Sequence, residues 1–343
     1  RLIDESDKKR KTNVCVYSME GDVIEDLPVK RVSDFKAYVN IIYGCDKFCT
    51  YCIVPFTRGK QRSRKMEDIL KEVRELKEKG YQEVTLLGQN VNAYGKDLDE
   101  GYDLADFLIK VSETRIPRVR FITSHPWDFT DKMVEAIKNY PNIMPYVHLP
   151  LQSGSDRILK LMGRRYTKEE YIRLFNEIKE KVKNVSITTD IIVGFPNETE
   201  EDFLETLEVV DACKFDGAFT FIYSKRTGTP AAAMENQVPE VEVKCHFDRL
   251  LREVQEISTK KAMALQGKTM PVLVEEMNEH EAGFVTGRLD NNSVVHFPGT
   301  EDMIGNIYHV KLEECKGFYY LGTANLEAFL VCFDDWQLFG YKI

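Results

Sequence analysis

The chain has 343 residues, 43% of them hydrophobic and 30% charged, and its formal net charge is −9. This composition is typical of a globular protein of about two domains and excludes disorder as its main state. The longest apolar run, residues 328–333, is far shorter than the roughly 18 residues that span a bilayer, and the N-terminus has no signal-peptide pattern. We therefore expect a cytoplasmic protein without a membrane segment, in which only local basic patches could bind nucleic acid.

Residues 1–36 are predicted to be a leading segment with short strands at 15–17 and 27–32. From residue 37 to 266, strands alternate with helices. The predicted strands are 38–42, 83–87, 119–123, 146–149, 186–193 and 217–223, and the predicted helices are 66–80, 104–112, 130–139, 155–161, 168–183, 200–213 and 241–265. This alternation predicts an α/β fold with a parallel sheet. Since six strands are fewer than a full barrel of eight, we expect a partial (β/α)6 barrel.

The pattern changes after residue 266. Short alternating segments at 270–276, 282–288, 293–297 and 308–312 are separated by Gly, Asn and Pro. They predict a small antiparallel β-barrel over residues 267–323. Residues 324–343 match neither pattern and are treated as an atypical tail.

Three of the eight cysteines, Cys45, Cys49 and Cys52, lie close together with C-x3-C-x2-C spacing just after the first predicted strand. Three thiolates so spaced can bind three irons of a four-iron cluster and leave the fourth iron open. A zinc site is the alternative, although zinc normally takes four ligands and the chain has no second cysteine pair. The other five cysteines lie singly along the chain, and we expect them to be core residues or free thiols. They are Cys15, Cys213, Cys245, Cys315 and Cys332.

The cysteine motif, with Tyr51 before its last cysteine, resembles the signature of radical S-adenosylmethionine (SAM) enzymes. Longer stretches at 43–59, 86–95, 148–155, 189–196 and 223–232 resemble the MiaB-type tRNA methylthiotransferases, except for Lys225, where proline is expected. The resemblance covers about residues 25–323. Within the family, residues 89–92 resemble the branch that acts on N6-isopentenyladenosine. Other branches act on threonylcarbamoyl-adenosine or on a ribosomal protein.

The resemblance implies one 4Fe–4S cluster on the three cysteines, with SAM as the second cofactor. It implies addition of a methylthio group to C2 of N6-isopentenyladenosine at position 37 of tRNA, with a flavodoxin or ferredoxin as electron donor, and we expect a monomer. Family members carry an N-terminal domain with a second cluster. Residues 1–36 are then expected to be the remnant of a link to that domain, and this chain is expected to cleave SAM without completing thiolation.

Polar residues follow the other predicted strands and are candidates for contacting SAM together with Tyr51. They are Gly88, Gln89 and Asn90 after the second strand, Ser124 after the third, Gln152 and Ser153 after the fourth, and Asp190 within the fifth. Amides and hydroxyls can bond the polar groups of SAM, and a carboxylate can accept from a ribose hydroxyl or an ammonium. Each residue taken alone could equally serve a turn or the core.

Two basic runs without acids, at 58–65 and 157–168, follow predicted active-site strands. They suggest phosphate contacts with a tRNA anticodon stem-loop through Arg58, Lys60, Arg62, Arg64, Arg164 and Arg165, although such runs are often solvated helix faces. The C-terminal barrel resembles the family's TRAM domain, an RNA-binding unit. Its 268–323 segment has four basic and nine acidic residues. We therefore expect the barrel to bind RNA through Arg288 and through aromatic side chains that stack on bases. The candidates are Phe284, Phe297, Phe318 and Tyr319, and the alternative for each is that it fills the barrel interior.

A non-catalytic role is the remaining alternative. The chain could be an RNA-binding fragment whose iron–sulfur cluster never turns over SAM. A purely structural cluster, however, would call for a fourth protein ligand, and the motif provides three cysteines.

Overall fold

The structure is a computed structural model that describes residue 23, residue 25 and residues 29–324. In chain order its first eight strands are β1 (Lys36–Asn40), β2 (Ile42–Tyr43), β3 (Arg62–Ser63), β4 (Glu83–Leu87), β5 (Arg118–Phe121), β6 (Tyr146–His148), β7 (Ser186–Val193) and β8 (Gly217–Ile222). Six of these strands are parallel and form two sheets, ordered β1–β4–β5 and β6–β7–β8. The short strands β2 and β3 form a separate antiparallel pair.

The two parallel sheets continue into one another and form an arc of six strands. The residues just before β6 pair with β5: the amide of Val119 donates to the carbonyl of Asn142 at 2.7 Å, and the amide of Met144 donates to the carbonyl of Val119 at 2.9 Å. Within the described residues, β1 and β8 each have one strand partner and form the two edges of the arc. The predicted α/β fold with a partial (β/α)6 barrel is therefore confirmed.

Eight α-helices are found among residues 29–324, and the longer ones contribute buried residues to the main core. They are α1 (Val54–Arg58), α2 (Met66–Glu78), α3 (Leu104–Glu113), α4 (Asp131–Asn139), α5 (Asp156–Leu161), α6 (Lys168–Lys181), α7 (Glu200–Cys213) and α8 (Glu240–Met263). All but α1 were predicted, and their ends agree within about two residues. Capping explains several starts: the side chains of Asp103, Thr130 and Thr167 accept backbone N–H groups at the first turns of α3, α4 and α6. No helix of the described part is long and apolar enough to cross a membrane.

The two faces of the arc differ in chemistry because successive residues of a strand point to opposite faces. Val39, Leu86 and Val119 face the helices and are fully buried in the main core. On the concave face the pairing register aligns Lys36 with Glu83 and Arg118, and Tyr38 with Thr85 and Arg120. The interior of the partial barrel is therefore polar.

Residues 269–324 form a closed five-stranded barrel with its own core. Its strands are β9 (Thr269–Met277), β10 (Phe284–Leu289), β11 (Val294–Pro298), β12 (Ile307–Cys315) and β13 (Tyr319–Ala324), in the order β10–β11–β13–β12–β9. The sequence predicted four of these strands and missed β13, which pairs in parallel with β11 and antiparallel with β12.

The small barrel is fastened to the arc by two buried arginines of β5. Arg118 donates to the carbonyl of Leu289 at 2.8 Å, and Arg120 donates to the carbonyls of Leu289 and Asp290 at 2.8 and 2.7 Å. Glu83 of β4 accepts from Arg120 at 2.9 Å and neutralises part of the buried charge. The turn between β10 and β11 is thus held against the concave face of the arc.

Two predictions about the beginning of the chain need correction. The predicted strand at 27–32 is not formed in its described residues 29–32, and the one at 15–17 lies outside the described residues. The first parallel strand spans Lys36–Asn40 rather than 38–42, because Ile42 instead pairs with Ser63 in the β2–β3 hairpin. Residues 325–343 of the predicted tail also lie outside the described residues, whereas Ala324 ends β13.

Candidate metal and cofactor site

The three-cysteine loop lies between β2 and α1, where the first strand of the arc ends. At Gly44, φ is +69°, and a Cβ would lie 2.0 Å from the carbonyl oxygen of Lys60, so only glycine fits there. Farther along, the amide of Thr50 donates to the carbonyl of Met162 at 2.9 Å, and its hydroxyl donates to the carbonyl of Leu161 at 2.8 Å. These bonds fasten the loop to the end of α5.

The three thiols of the loop are partly or fully withdrawn from solvent. Cys49 is buried, and Cys45 and Cys52 are half-buried. Burial raises the pKa of Cys45 to about 11 and also raises the pKa of Cys52, so that thiolates here need a cationic partner. No group of three or more His, Cys, Asp or Glu side chains in residues 29–324 converges as a single ion requires. A cluster needs no such convergence, because each thiolate binds a different iron.

Buried polar atoms without hydrogen-bond partners lie at the same end of the arc. They include the side-chain oxygens of Asn90 after β4, Ser124 after β5, Gln152 after β6 and Tyr223 after β8. A buried polar atom left unpaired costs about 1–3 kcal/mol. Gln152 in addition has a φ of +73°, which is unfavourable for a residue with a side chain. Unpaired atoms at the carboxyl ends of several strands indicate a site for a polar ligand, and SAM with its amino, carboxylate and hydroxyl groups is chemically suited to it.

The other residues predicted to contact SAM have different surroundings in the structure. Gly88 serves the fold, since a Cβ would lie 2.1 Å from the Ile42 side chain. Ser153 is buried and accepts from the amide of Ser155 at 3.2 Å. Gln89, just after β4, is half-buried. Tyr51 packs against a small group of buried hydrophobic residues that includes Phe195. The Asp190 carboxylate on β7 lies 3.4 Å from Nε2 of His148.

Asp128 is a site residue that the sequence did not reveal. Its buried carboxylate accepts from Asn90 at 2.7 Å, from Lys47 of the cysteine loop at 2.8 Å and from Lys96 at 2.6 Å. Burial alone would raise the pKa of Asp128, but bonds from the two lysines and Asn90 outweigh it and hold the pKa below its usual range. One carboxylate thereby connects the cysteine loop to the segment after β4.

Two of the six basic residues predicted to contact RNA are engaged inside the protein, which corrects that prediction for them. Arg164 is buried, donates to the carbonyl of Pro150 at 2.9 Å and has its Nη1 3.6 Å from Sγ of Cys49. Arg64 is bound to Glu72 at 2.7 Å and to Glu25 at 2.6 Å. The Arg164 cation therefore lies against the cysteine loop, where it favours thiolate charge.

The other four basic residues remain near the mouth of the site. Arg58 and Lys60 are exposed beside the loop, and Arg62 in β3 is half-buried. Arg165 is also exposed, and its guanidinium lies over the ring of Trp127 at 4.9 Å, while Lys47 lies over the same ring at 4.2 Å. These cations are next to the cysteine loop and can reach a polyanion that covers it.

The aromatic residues of the small barrel differ in exposure. Phe297 is fully buried in the barrel core, which is the alternative that the sequence left open for these aromatic residues. Phe284 and Tyr319 are half-buried, whereas Phe318 is 79% exposed. Arg288 is half-buried and ion-paired with Glu275 at 3.2 Å. Of the single cysteines, Cys213 is a buried core residue, Cys245 is exposed and Cys315 is half-buried, while Cys15 and Cys332 lie outside the described residues.

Comparisons with known proteins identify the family of this chain. The family model of the radical SAM superfamily matches residues 39–210, and that of the TRAM domain matches residues 264–324. A tRNA-2-methylthio-N(6)-dimethylallyladenosine synthase of Lachnoclostridium phytofermentans is 52% identical over 91% of this chain and 69% of its own length. One of the same name from Staphylococcus haemolyticus is 51% identical over 94% of this chain and 63% of its own length. Among solved structures, the coproporphyrinogen III oxidase HemN of Escherichia coli has a TM-score of 0.47 at 15% identity and covers 81% of this chain and 66% of its own.

The partial barrel, the three-cysteine loop and the radical SAM match define the class: the chain is a radical SAM protein with a C-terminal TRAM domain. Within that class, the chain belongs to the family of tRNA-2-methylthio-N6-dimethylallyladenosine synthases, which are methylthiotransferases. Membership of the radical SAM superfamily implies a 4Fe–4S cluster and SAM as cofactors. The chain spans between about three fifths and seven tenths of the length of these relatives.

Proposed function

We propose that this protein provides the radical SAM core of an enzyme that adds a methylthio group to C2 of N6-isopentenyladenosine at position 37 of tRNA. The observation that carries the proposal is the meeting of two features at one end of the arc. The cysteine loop lies there, and so do the unpaired polar atoms of Asn90, Ser124 and Gln152. The names of the relatives supply the substrate.

In this proposal Cys45, Cys49 and Cys52 each bind one iron and leave the fourth iron open for SAM. The cluster and SAM would supply the radical chemistry that removes hydrogen from C2 of the adenine, with the electron provided by the proposed external donor. The protein orients the reacting groups and excludes water from them. The Arg164 guanidinium would stabilise the negative charge of the cysteine loop, since its Nη1 lies 3.6 Å from Sγ of Cys49.

Binding of SAM falls to the unpaired groups at the strand ends. The amides of Asn90 and Gln152 and the hydroxyl of Ser124 would bond its amino, carboxylate and ribose groups, with Gln89 and Tyr51 alongside. Asp128 holds Asn90 by accepting its Nδ2–H at 2.7 Å, so that the unpaired Oδ1 is directed away from Asp128. This fixed amide reduces the entropy lost when SAM binds.

The RNA is proposed to be the anticodon stem-loop of tRNA. Arg58, Lys60, Arg62 and Arg165, around the mouth of the site, would contact its phosphates, and the exposed Phe318 of the TRAM barrel would stack on an unpaired base. A flavodoxin or ferredoxin is proposed as the electron donor, and the protein is proposed to act as a monomer in the cytoplasm.

Isotope transfer tests the proposal without requiring sulfur insertion. The protein, reconstituted anaerobically with iron and sulfide, is given SAM, dithionite and an anticodon stem-loop with deuterium at C2 of N6-isopentenyladenosine 37. We expect deuterium in the 5′-deoxyadenosine that forms, and none when the label is at C8 instead. A stem-loop with threonylcarbamoyl-adenosine should give no transfer. Deuterium from that substrate, or none from the isopentenylated one, would refute the proposed substrate.

A further inference from the structure

The concave face of β6, β7 and β8 carries a group of side chains to which the proposed function assigns no contact with the cluster or SAM. In the pairing register, His148 of β6 is aligned with Thr188 of β7, and Phe219 of β8 is aligned with Asp190 of β7. Since Thr188 and Asp190 are two residues apart on one strand, all four side chains share the interior face of the arc. Phe221, two residues beyond Phe219, continues the same face. We name His148, Asp190, Phe219 and Phe221 the interior wall.

The Asp190 carboxylate in this wall is oriented by a chain of hydrogen bonds. Its Oδ2 lies 3.4 Å from Nε2 of His148, and Nδ1 of His148 lies 3.0 Å from the Thr188 hydroxyl. The hydroxyl of Tyr146 in turn lies 3.0 Å from that of Thr188. A neutral imidazole donates from one nitrogen and accepts at the other. This series of hydrogen bonds can therefore direct an Nε2 proton of His148 towards Asp190. The second carboxylate oxygen remains able to accept from a ligand.

Phe219 and Phe221 add an apolar surface beside this carboxylate. They are 55% and 49% exposed, although they lie on the interior face of a strand. The ring of Phe219 meets His148 edge-on, with 5.8 Å between the ring centroids. The interior wall therefore offers one oriented acceptor next to two aromatic rings. That combination suits a flat base that has an N–H and an apolar substituent at the same edge.

We propose that the interior wall selects the N6 side of the substrate adenosine: Asp190 accepts the N6–H, and Phe219 and Phe221 pack against the apolar N6 substituent. This inference rests on the proposed function and moves Asp190 from the predicted SAM contacts to the substrate contacts. A substituent that carries a carboxylate would lose its solvation against the two rings and meet the charge of Asp190. The wall thereby favours N6-isopentenyladenosine and disfavours threonylcarbamoyl-adenosine.

Binding of stem-loops by the cluster-loaded protein tests this assignment. Three fluorescently labelled anticodon stem-loops carry isopentenyladenosine, unmodified adenosine or threonylcarbamoyl-adenosine at position 37, and their Kd values are measured anaerobically. We expect Asp190→Asn to lower the ratio of the threonylcarbamoyl Kd to the isopentenyl Kd about tenfold. The reason is that the change removes the carboxylate that repels the charged threonylcarbamoyl group. Asp99→Asn, an exposed acid away from the wall, is the matched control and should not change this ratio.

The aromatic half of the wall is tested on the same stem-loops. We expect Phe219→Ala to raise the Kd for the isopentenyl stem-loop about tenfold and that for unmodified adenosine much less, because only the former loses apolar burial. The Kd of Phe219→Leu for the isopentenyl stem-loop should lie between those of the wild-type protein and Phe219→Ala. Ile222→Ala is the control, because Ile222 is 48% exposed on the opposite face of the same strand.

The two failures are distinguishable. The wild-type protein could transfer C2 deuterium from the isopentenyl substrate while Asp190→Asn and Phe219→Ala keep the wild-type differences in Kd between the stem-loops. In that case the role proposed for the interior wall is wrong and the proposed function stands. If the wild-type protein neither binds nor labels from that substrate, the proposed function fails and the inference fails with it.

Discussion

At the scale of single residues, the carboxylate of Asp128 matters because three side chains from two segments donate to it. It accepts from Lys47 in the cysteine loop, Asn90 after β4 and Lys96. Hydrogen bonds to a buried charge are about twice as strong as neutral ones, so the position of the loop relative to Asn90 depends on this residue. The role is one of positioning, since Asp128 itself is enclosed by these donors.

The variant Asp128→Asn should weaken SAM binding. The amide keeps the volume but loses the charge that holds the two lysines and orients Asn90, and we expect a Kd for SAM about tenfold higher. Anaerobic equilibrium dialysis with labelled SAM measures this, with iron content as a check that the cluster is still present. Asp131→Asn, exposed at the start of α4, is the control. An unchanged Kd would show that Asp128 does not position the SAM site.

Arg164 and Arg165 are neighbours with opposite environments, which gives a matched pair for testing the cluster. Arg164 is buried with its Nη1 3.6 Å from Cys49 Sγ, and Arg165 is exposed. We expect Arg164→Met to lower the midpoint potential of the cluster by tens of mV, on the order that a nearby charge produces, because the cation stabilises the reduced, more negative state. Arg165→Met should leave it unchanged. Redox titration followed by EPR measures both, and equal potentials in the two variants would contradict this role.

At the scale of elements, the first turn of α7 anchors α5 through Asp202. Its carboxylate accepts from the hydroxyl of Ser155 at 2.6 Å, from Thr199 at 2.9 Å and from Arg157. Burial would raise the pKa of Asp202, but the bonds from Arg157, Ser155 and Thr199 outweigh it and lower the pKa from 3.8 to about 2. A lowered pKa contributes stability that is present above pH 3.8 and is lost as the pH falls through about 2.

We therefore expect Asp202→Asn to lower the free energy of unfolding by about 2 kcal/mol at pH 7, and by about half as much at pH 3. Urea denaturation at the two pH values, followed by circular dichroism, measures the difference from the wild type. Asp211→Asn, exposed near the end of the same helix, should have little effect at either pH. A difference that stays constant between pH 7 and pH 3 would contradict the assigned pKa.

The elements of the arc were largely predictable from sequence, and the exceptions have physical reasons. In α2 the apolar spacing of Ile69, Val73 and Leu76 places all three in the core, as predicted. β1 was predicted two residues late, because Lys36 is polar, yet it is a strand residue that bonds Glu275 on the interior side. β13 was missed because Gly322, whose Cβ would lie 2.6 Å from the Val310 side chain, lowers the strand propensity of its segment.

At the scale of the whole molecule, the junction at β5 fixes the TRAM barrel relative to the SAM site. Arg118 reaches the carbonyls of Arg288 and Leu289 at 3.2 and 2.8 Å, across the boundary between the two cores. An RNA that touches both the cysteine-loop cations and the TRAM barrel binds more tightly when their separation is fixed.

We expect Arg118→Met to loosen this junction while sparing the Arg120–Glu83 ion pair. Hydrogen exchange of the amides at 284–298 should become faster by a factor of about ten, since the turn loses two charge-assisted bonds. Arg115→Met, exposed before β5, is the control. Unchanged exchange in the Arg118 variant would show that other contacts hold the barrel in place.

Local spacing predicted part of the candidate site, and the structure adds residues that are distant in sequence. The cysteines were predicted because they lie within eight positions, and the strand-end amides because each follows a strand. Asp128 was missed because its partners Lys47 and Asn90 are 81 and 38 residues away. A basic run cannot show which of its members is buried, and Arg164 was therefore assigned to RNA although it is buried against Cys49.

The central claim is that Cys45, Cys49 and Cys52 hold a cluster that cleaves SAM. The most direct test is anaerobic reconstitution with iron and sulfide, followed by dithionite and SAM, with iron and 5′-deoxyadenosine measured together. We predict about four irons per chain and 5′-deoxyadenosine formation, with both lost in Cys49→Ala and both kept in Cys245→Ala, a change at an exposed cysteine outside the loop. Zinc in place of iron, or a four-iron cluster that leaves SAM intact, would contradict the claim.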